Sequence, residues 1–171
     1  MRRYGLPLAG VLLALGWGAA PAWGASQARL TLEQVLGQTP GSLVISFGAI
    51  DAMCLAPPAT GVTCVPNVPA NGATWYATIR FRVRLTGAGG SSVRLTGVRM
   101  AGGSAPAGSL VDGPSGLPAT PYPTAPAGAL ILATSLSGGN AVVQRSVGFR
   151  VAPGDPSGNW ATSIVYSLIV E

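Results

Sequence analysis

Hydrophobic and polar residues alternate through the middle of the chain, most clearly in ATWYATIRFRVRL, residues 73–85. Alternation with a period of two is typical of a β-strand with one buried face. The apolar face carries Trp75, Ala77, Ile79, Phe81, Val83 and Leu85. The other face carries Tyr76, Thr78, Arg80, Arg82, Arg84 and Thr86. The pattern predicts a strand here, with three arginines in one outward row.

Similar runs predict further strands. Residues 160–170 alternate as a terminal strand, and because Val165 and Ile169 are apolar as well, part of it is expected to be covered on both sides. Val143, Val147, Phe149 and Val151 form another inward row, which Arg145 interrupts. Shorter candidates are Arg29–Glu33, Leu43–Phe47, Val93–Met100, Leu110–Asp112 and Ala129–Ser135. A helix over Leu30–Leu36 is less favoured than a strand, because apolar and polar residues alternate at its start.

Turn sequences separate these runs, among them Asn71-Gly72, the stretch 87–91, SGGN before Ala141 and PGDPSGN before Trp160. Seven or eight short strands are therefore expected, in an antiparallel sandwich or a small barrel. Residues 102–128 contain six prolines and six glycines. They are interpreted as a long surface excursion within a single domain, with one short strand at Ser109–Asp112.

The first 24 residues have the pattern of a secretory signal. Arg2 and Arg3 precede an apolar run from Leu6 to Leu15, and small residues follow. Cleavage is expected after Gly24, with Ala22 as the second choice, which leaves residues 25–171 as one domain. The expected location is periplasmic, at the cell surface or extracellular. Arg2 and Arg3 leave with the signal, so eight of ten arginines remain against five carboxylates.

Cys54 and Cys64 are the two cysteines, and export makes a disulfide between them the expected state. The chain-entropy treatment gives about 2.8 kcal/mol for closing this loop. The spacing does not fit a redox CxxC motif or a zinc site.

Enzymatic chemistry is disfavoured. The chain has no histidine, so an ordinary Ser-His pair or imidazole metal ligand is excluded. Glu33, Asp51, Asp112, Asp155 and Glu171 stand in turns or near chain ends, without a motif around them. Turn and cap roles are expected for Asp51, Asp112 and Asp155. No cofactor or metal is predicted: PGDPSGN is the one stretch with oxygen ligands that could suit calcium, and ordinary turn chemistry accounts for it. Nucleic acid is an unfavoured partner.

The arginine row predicts either a solvated outer face or a contact surface for acidic glycans, lipid headgroups or a neighbouring subunit. If residues 87–91 form a hairpin turn, Val93 pairs with Leu85 and Arg94 lies opposite Arg84. Opposed like charges are destabilising. The candidate contact surface is Arg80, Arg82, Arg84 and Arg94.

Five aromatic residues occupy strand positions and are expected in the core: Trp75, Phe81, Phe149, Trp160 and Tyr166. Tyr122, between prolines in ATPYPTAP, is expected to be exposed.

Two patches resemble the spore-coat-U type and related archaic chaperone–usher pilin domains: ISFGAID at residues 45–51 and the closing GNWATSIVYSLIVE. The resemblance covers under a fifth of the chain. Both cysteines here follow Phe47-Gly48, whereas those domains usually carry one upstream. The resemblance implies an incomplete immunoglobulin-like sandwich that a strand of the next subunit completes. Residues 28–35 are then the candidate donor strand, with Leu30, Leu32 and Val35 as its apolar side chains.

These observations favour a non-enzymatic structural or adhesive protein of a bacterial surface or pilus-like appendage. It is expected to associate with itself or with other envelope subunits by strand addition. One alternative is a monomeric secreted module that binds a polysaccharide or envelope component through residues 102–128 or the arginines. A less favoured alternative is a small outer-membrane β-barrel, since few aromatic residues are present for two interfacial girdles.

Overall fold

The computed structural model describes residues 27–35, 44–68, 71–86, 92–137 and 139–171. These residues form strands, turns and loops, and no helix occurs among them. The described part of the chain accordingly holds no apolar helix of membrane-spanning length. Two antiparallel sheets face each other across a hydrophobic core, as predicted for an all-β sandwich.

The first sheet contains six strands, in the order β1-β3-β8-β5-β6, and β2 also pairs with β3. Its strands are β1 (Gln27–Val35), β2 (Val62–Pro66), β3 (Ala73–Thr86), β5 (Leu110–Gly113), β6 (Thr120–Pro121) and β8 (Ala141–Val151). β3 is its longest strand. Both β1 and β2 lie along one side of it, β2 beside residues 73–77 and β1 beside residues 79–86.

The second sheet has three strands in the order β7-β4-β9. They are β4 (Val93–Arg99), β7 (Leu130–Leu136) and β9 (Ile164–Val170). β4 is central, and each edge strand pairs with it alone within this sheet. The alternating runs found in the sequence therefore become the two inner faces of the sandwich.

The core comes mainly from β3, as its alternation predicts. Trp75, Ile79, Phe81 and Val83 are at most 2% exposed, and the intervening arginines lie on the outer face. Phe149 joins this core, while Trp160 and Tyr166 are half-buried against it. Phe81 and Tyr166 make an edge-to-face contact between the sheets, with ring centroids 4.6 Å apart. The five aromatic core predictions are thus confirmed, with Trp160 and Tyr166 at the margin.

Two strand predictions were wrong. Residues 44–47 of the candidate Leu43–Phe47 form no strand, because Phe47 turns inward onto Phe149 and Gly48 follows with a φ of +68°. The predicted hairpin between β3 and β4 is also wrong, because the two strands belong to different sheets. Arg84 therefore lies opposite Arg29 of β1 rather than Arg94.

The proline- and glycine-rich stretch 102–128 is more than a surface excursion. It supplies β5, which lies between β8 and β6, and it buries Tyr122 to 3% exposure. Tyr122 therefore contradicts the prediction that its flanking prolines keep it exposed. Its N–H donates to the carbonyl of Leu110 at 3.0 Å, and its hydroxyl donates to the buried Asp112, so the ring lies in the core.

Candidate functional site

A groove of about 1200 Å³ opens along one side of the sandwich, between the edges of the two sheets. One wall is the strandless segment 44–52, and the other is residues 158–164 with Tyr166 of β9. Its floor is apolar and comes from the first sheet, with Ile79, Leu110, Val147, Phe149 and Val151. The groove thus reaches core residues from outside.

Aromatic rings connect the two walls over this floor. Phe47 packs edge-to-face on Phe149 with ring centroids 5.1 Å apart, and Phe149 packs on Trp160 at 5.9 Å. The indole N–H of Trp160 donates to the carbonyl of Pro156, 3.0 Å, which holds the ring at the groove margin. An apolar side chain entering the groove would therefore meet aromatic surface.

Among the strands that the structure describes, β9 pairs with β4 only, so its other side forms the open strand edge of the groove. The N–H groups of Ser92 and Glu171 donate to each other's carbonyls, at 3.1 and 2.8 Å. Hydrogen-bonded and non-hydrogen-bonded residue pairs alternate along an antiparallel ladder. Because Glu171 belongs to a hydrogen-bonded pair, the odd-numbered residues of β9 direct their backbone N–H and C=O groups at β4. Ile164, Tyr166 and Leu168 accordingly direct theirs at the open edge, while their side chains turn inward.

Two carboxylates line the groove, and both are held by backbone groups of turns, as predicted. Asp51 accepts N–H bonds from Met53, Leu55 and Ala56, at 2.6, 3.1 and 2.6 Å. These donors, Ala56 first and Leu55 next, lower the pKa of the Asp51 carboxyl below its ordinary value of 3.8. Asp155 accepts the N–H of Ala152 at 2.7 Å.

Asp112 does not occupy a turn, contrary to the prediction. It is 0% exposed on β5 and makes an ion pair with Arg145, the residue that interrupts the inward row of β8. The hydroxyl of Tyr122 donates to Oδ1 of Asp112 at 2.9 Å and lies 3.4 Å from the hydroxyl of Tyr166. Gly97 leaves room for both rings, since a Cβ there would stand 2.9 Å from Tyr122 and 3.2 Å from Tyr166. The interior thus contains a compact polar cluster.

Burial raises the pKa values of the two tyrosine hydroxyls in this cluster. Loss of solvent raises the pKa of the Tyr166 hydroxyl to about 12, and it raises the pKa of Tyr122 further. Both phenols are therefore neutral hydrogen-bonding groups at physiological pH. Among the described residues, no set of three or more histidine, cysteine or carboxylate side chains could hold a metal ion.

The predicted arginine surface is only partly assembled. Arg80, Arg82 and Arg84 follow one another on the outer face of β3. Arg94 is not among them, because it lies on β4 in the other sheet and makes an ion pair with Glu171. Arg29 of β1, which sequence reasoning missed, lies directly opposite Arg84. We call Arg29, Arg80, Arg82 and Arg84 the arginine face.

The disulfide between Cys54 and Cys64 is confirmed, with Cα atoms 5.8 Å apart. It ties the loop after Asp51 to β2 at the position that pairs with Trp75. The indole N–H of Trp75 also donates to the carbonyl of Asp51, 2.7 Å. The strandless wall of the groove is therefore joined to the first sheet at its Asp51 end by two connections. A disulfide is typical of oxidising compartments.

The candidate donor strand 28–35 lies within its own sheet as part of β1. Ala28 and Leu30 turn inward against the core, and the side chains of Leu32 and Val35 lie outside the described residues. Within the described part of the chain, β1 pairs with β3 on one side only, and it also contacts β9. It therefore occupies one end of the gap between the sheets.

Comparisons with family models, with curated proteins and with solved structures found no match to this chain.

Proposed function

We propose that this protein is an exported, non-enzymatic structural or adhesive subunit of a bacterial surface or appendage, which assembles by strand addition at β9. The observation that carries the proposal is the open edge of β9 directly above an apolar groove. An added strand would complete the hydrogen bonds of Ile164, Tyr166 and Leu168 and place alternate side chains against the apolar floor and the aromatic rings of the groove.

The strand order supports this proposal. In this proposal the order β1-β3-β8-β5 in one sheet and the neighbours β4 and β9 in the other are matched to strands A-B-E-D and C-F of an immunoglobulin-like sandwich, and β7, which pairs with β4 but follows β5 in the chain, is left out of the match. On this match none of the described strands takes the place of strand G, which would lie beside β9. The vacant position is the groove, in agreement with an incomplete sandwich that a second copy completes.

The donor in this proposal is segment 28–35 of another copy. Its alternation suits a strand with one buried face, and Leu30 already turns toward the core in the monomer. Among the described strands β1 pairs with β3 alone, so its release would give up that ladder, its contact with β9 and the packing of Leu30 against the core. The released strand would give up its pairing with β3 of its own copy and pair with β9 of the next one, so the proposal is strand addition and not an exchange of equivalent contacts.

A proline at an outward-facing position tests the acceptor edge. Leu168→Pro removes an N–H that faces away from β4, which an edge strand tolerates, and it blocks pairing with an added strand. Leu168→Ala is the matched control because it removes the same side chain and keeps the N–H. Light scattering after size exclusion of the chain from residue 25 should show assembly for wild type and Leu168→Ala, and monomer for Leu168→Pro. Equal assembly of the two variants would refute addition at β9.

A synthetic peptide of residues 25–37 tests the donor. Added in excess to the whole mature chain, it should occupy the groove and shorten the assemblies. The control peptide carries Leu30→Asp and Leu32→Asp, which put charges on the apolar face and should abolish the effect. Assembly that neither peptide alters would assign the donor strand to another segment.

A further inference from the structure

Residues 159–163, the chain that leads into β9, are held in the same way as β9 itself. Met100 follows β4 directly, and its N–H donates to the carbonyl of Ser163 at 2.9 Å. Farther along the same segment, the N–H of Ala105 donates to the carbonyl of Ala161 at 3.4 Å. Residues 159–163 therefore continue the line of β9 beside the chain that follows β4.

Ser104 supplies two more bonds between these segments. Its hydroxyl donates to the carbonyl of Asn159 at 2.7 Å and accepts the N–H of Ala161 at 2.8 Å. Gly103 permits the close approach, since a Cβ there would stand 2.7 Å from the carbonyl oxygen of Ala161. The bonded residues are thus Asn159, Ala161 and Ser163, which are the odd-numbered ones, as in β9.

The intervening residues, Trp160 and Thr162, turn the other way. Their side chains point inward: the ring of Trp160 packs on Phe149, and Oγ1 of Thr162 accepts the Nε–H of Arg99 at 3.1 Å. Arg99 is 5% exposed, so this bond lies in the interior. No described residue bonds to the backbone N–H or C=O of Trp160 or Thr162. Backbone groups and side chains therefore alternate from Trp160 onward as they do along β9.

We infer, on the basis of the strand addition proposed above, that the acceptor edge begins at Trp160 and not at the start of β9, and that β1 of a second copy pairs along this longer edge. β9 has seven residues and β1 has nine, so β9 alone is too short to pair with the whole of β1. The edge from residue 160 to residue 170 has eleven residues and is long enough. Strand addition derives its affinity from main-chain hydrogen bonds, so the four added residues strengthen the binding of a full-length strand.

The position of the groove supports the longer edge. Among the described residues of this edge, Trp160, Thr162 and Tyr166 line the groove, and Leu168 does not. A donor strand confined to β9 would therefore leave the Trp160 end of the groove unfilled. The sequence of β1 begins with alternating polar and apolar residues, and the apolar ones would fill this end against the ring of Phe149.

A proline at position 162 tests the added part of the edge. Thr162→Pro removes an N–H that faces away from residues 100–105, and Thr162→Ala is the matched control. Both variants lose the hydroxyl that bonds to Arg99, but only the proline removes the N–H and obstructs an added strand. Size exclusion with light scattering over a dilution series should show that assemblies of Thr162→Pro dissociate at about tenfold higher protein concentration than those of Thr162→Ala.

The outcomes of this comparison separate the longer edge from strand addition itself. Equal assembly of Thr162→Pro and Thr162→Ala, while Leu168→Pro prevents assembly, would overturn the longer edge and leave addition at β9 in place. Equal melting temperatures of the two Thr162 variants establish that the proline does not act by unfolding the chain.

Hydrogen exchange of the wild-type chain is a second measurement that needs no variant. On assembly, the amide protons of Trp160 and Thr162 should exchange at least about tenfold more slowly, as should those of the even-numbered residues of β9. The amide of Ala161 already donates to Ser104 and should change little. Slowing confined to β9 would overturn the longer edge alone. No slowing at any even-numbered residue would overturn strand addition at β9, and the longer edge with it.

Discussion

Asp112 and Arg145 form an ion pair in the interior of the sandwich, on the neighbouring strands β5 and β8. Nε of Arg145 donates to Oδ1 of Asp112 at 3.3 Å, and its Nη1 donates to the carbonyl of Leu132 at 3.0 Å. Tyr122 gives Asp112 another donor. Buried charges are tolerated when both partners and their remaining hydrogen-bonding atoms are matched, as they are here. The cluster therefore links both sheets and the chain around Tyr122.

The first prediction concerns removal of one charge. Asp112→Ala leaves Arg145 buried without its carboxylate, and the free energy of unfolding should fall by about 3–5 kcal/mol. The double variant Asp112→Leu/Arg145→Met removes both charges and should recover most of this loss. Urea unfolding followed by tryptophan fluorescence measures both quantities.

The ion pair between Arg94 and Glu171 is the matched control, since its side chains are 35% and 31% exposed. Glu171→Ala should cost at most about 1 kcal/mol. If Asp112→Ala proved no more costly than Glu171→Ala, Asp112 would not occupy a desolvated site in solution.

The sequence predicted the sandwich because alternation reports directly which side of a strand is buried. It did not predict the cluster, since Asp112 and Tyr122 lie among prolines and glycines where no long alternating run exists. Arg145 was visible as an interruption of an apolar row, but its partner is 33 residues away. Pairing over that distance depends on β5 lying beside β8, which no local pattern specifies.

For the arginines of β3, too, the sequence predicted the outward position but not the residues that lie beside them. Their outward position follows from the alternation of β3, and the exposure of Arg82 and Arg84 agrees with it. Their neighbours depend on topology. A short turn favours a hairpin, yet β3 and β4 pack in opposite sheets, so Arg29 replaced Arg94 as the residue opposite Arg84. The open edge of β9 could likewise not be predicted, because the local sequence of a strand does not specify which strand lies beside it.

The second prediction follows from the Arg29–Arg84 pair. Arg29→Glu replaces repulsion by attraction across the ladder and should raise the free energy of unfolding by about 0.2–1 kcal/mol at low salt. Arg29→Gln should give a smaller gain. Both gains should shrink at high salt, because the side chains are exposed and screened. A loss of stability in Arg29→Glu would contradict this register of β1.

The third prediction concerns the disulfide. Cys54→Ser/Cys64→Ser should lower the free energy of unfolding by about 2.8 kcal/mol in the chain-entropy treatment. Wild type unfolded in the presence of reductant should show the same loss. The variant in oxidising buffer should not respond to reductant, which separates the cross-link from other effects of the reagent. An identical denaturation midpoint for all samples would mean that the disulfide does not stabilise the folded protein.

The fourth prediction is the pH dependence of the loop that Asp51 organises. Its carboxylate accepts N–H groups of Ala56, Leu55 and Met53, and these bonds lower its pKa in the folded chain. A group whose folded pKa is depressed stabilises fully above its unfolded pKa, here about 3.8, and the stabilisation is lost as pH falls through the folded pKa. Asp51→Asn has no such charge, so its free energy of unfolding should be lower than that of wild type at pH 7. The difference in free energy between the two proteins should become smaller below pH 4. Urea midpoints of both proteins between pH 2 and 7 measure this difference. A gap of constant size across that range would show that the ionised carboxylate does not hold the loop, and that the connection from Trp75 to the Asp51 carbonyl is sufficient.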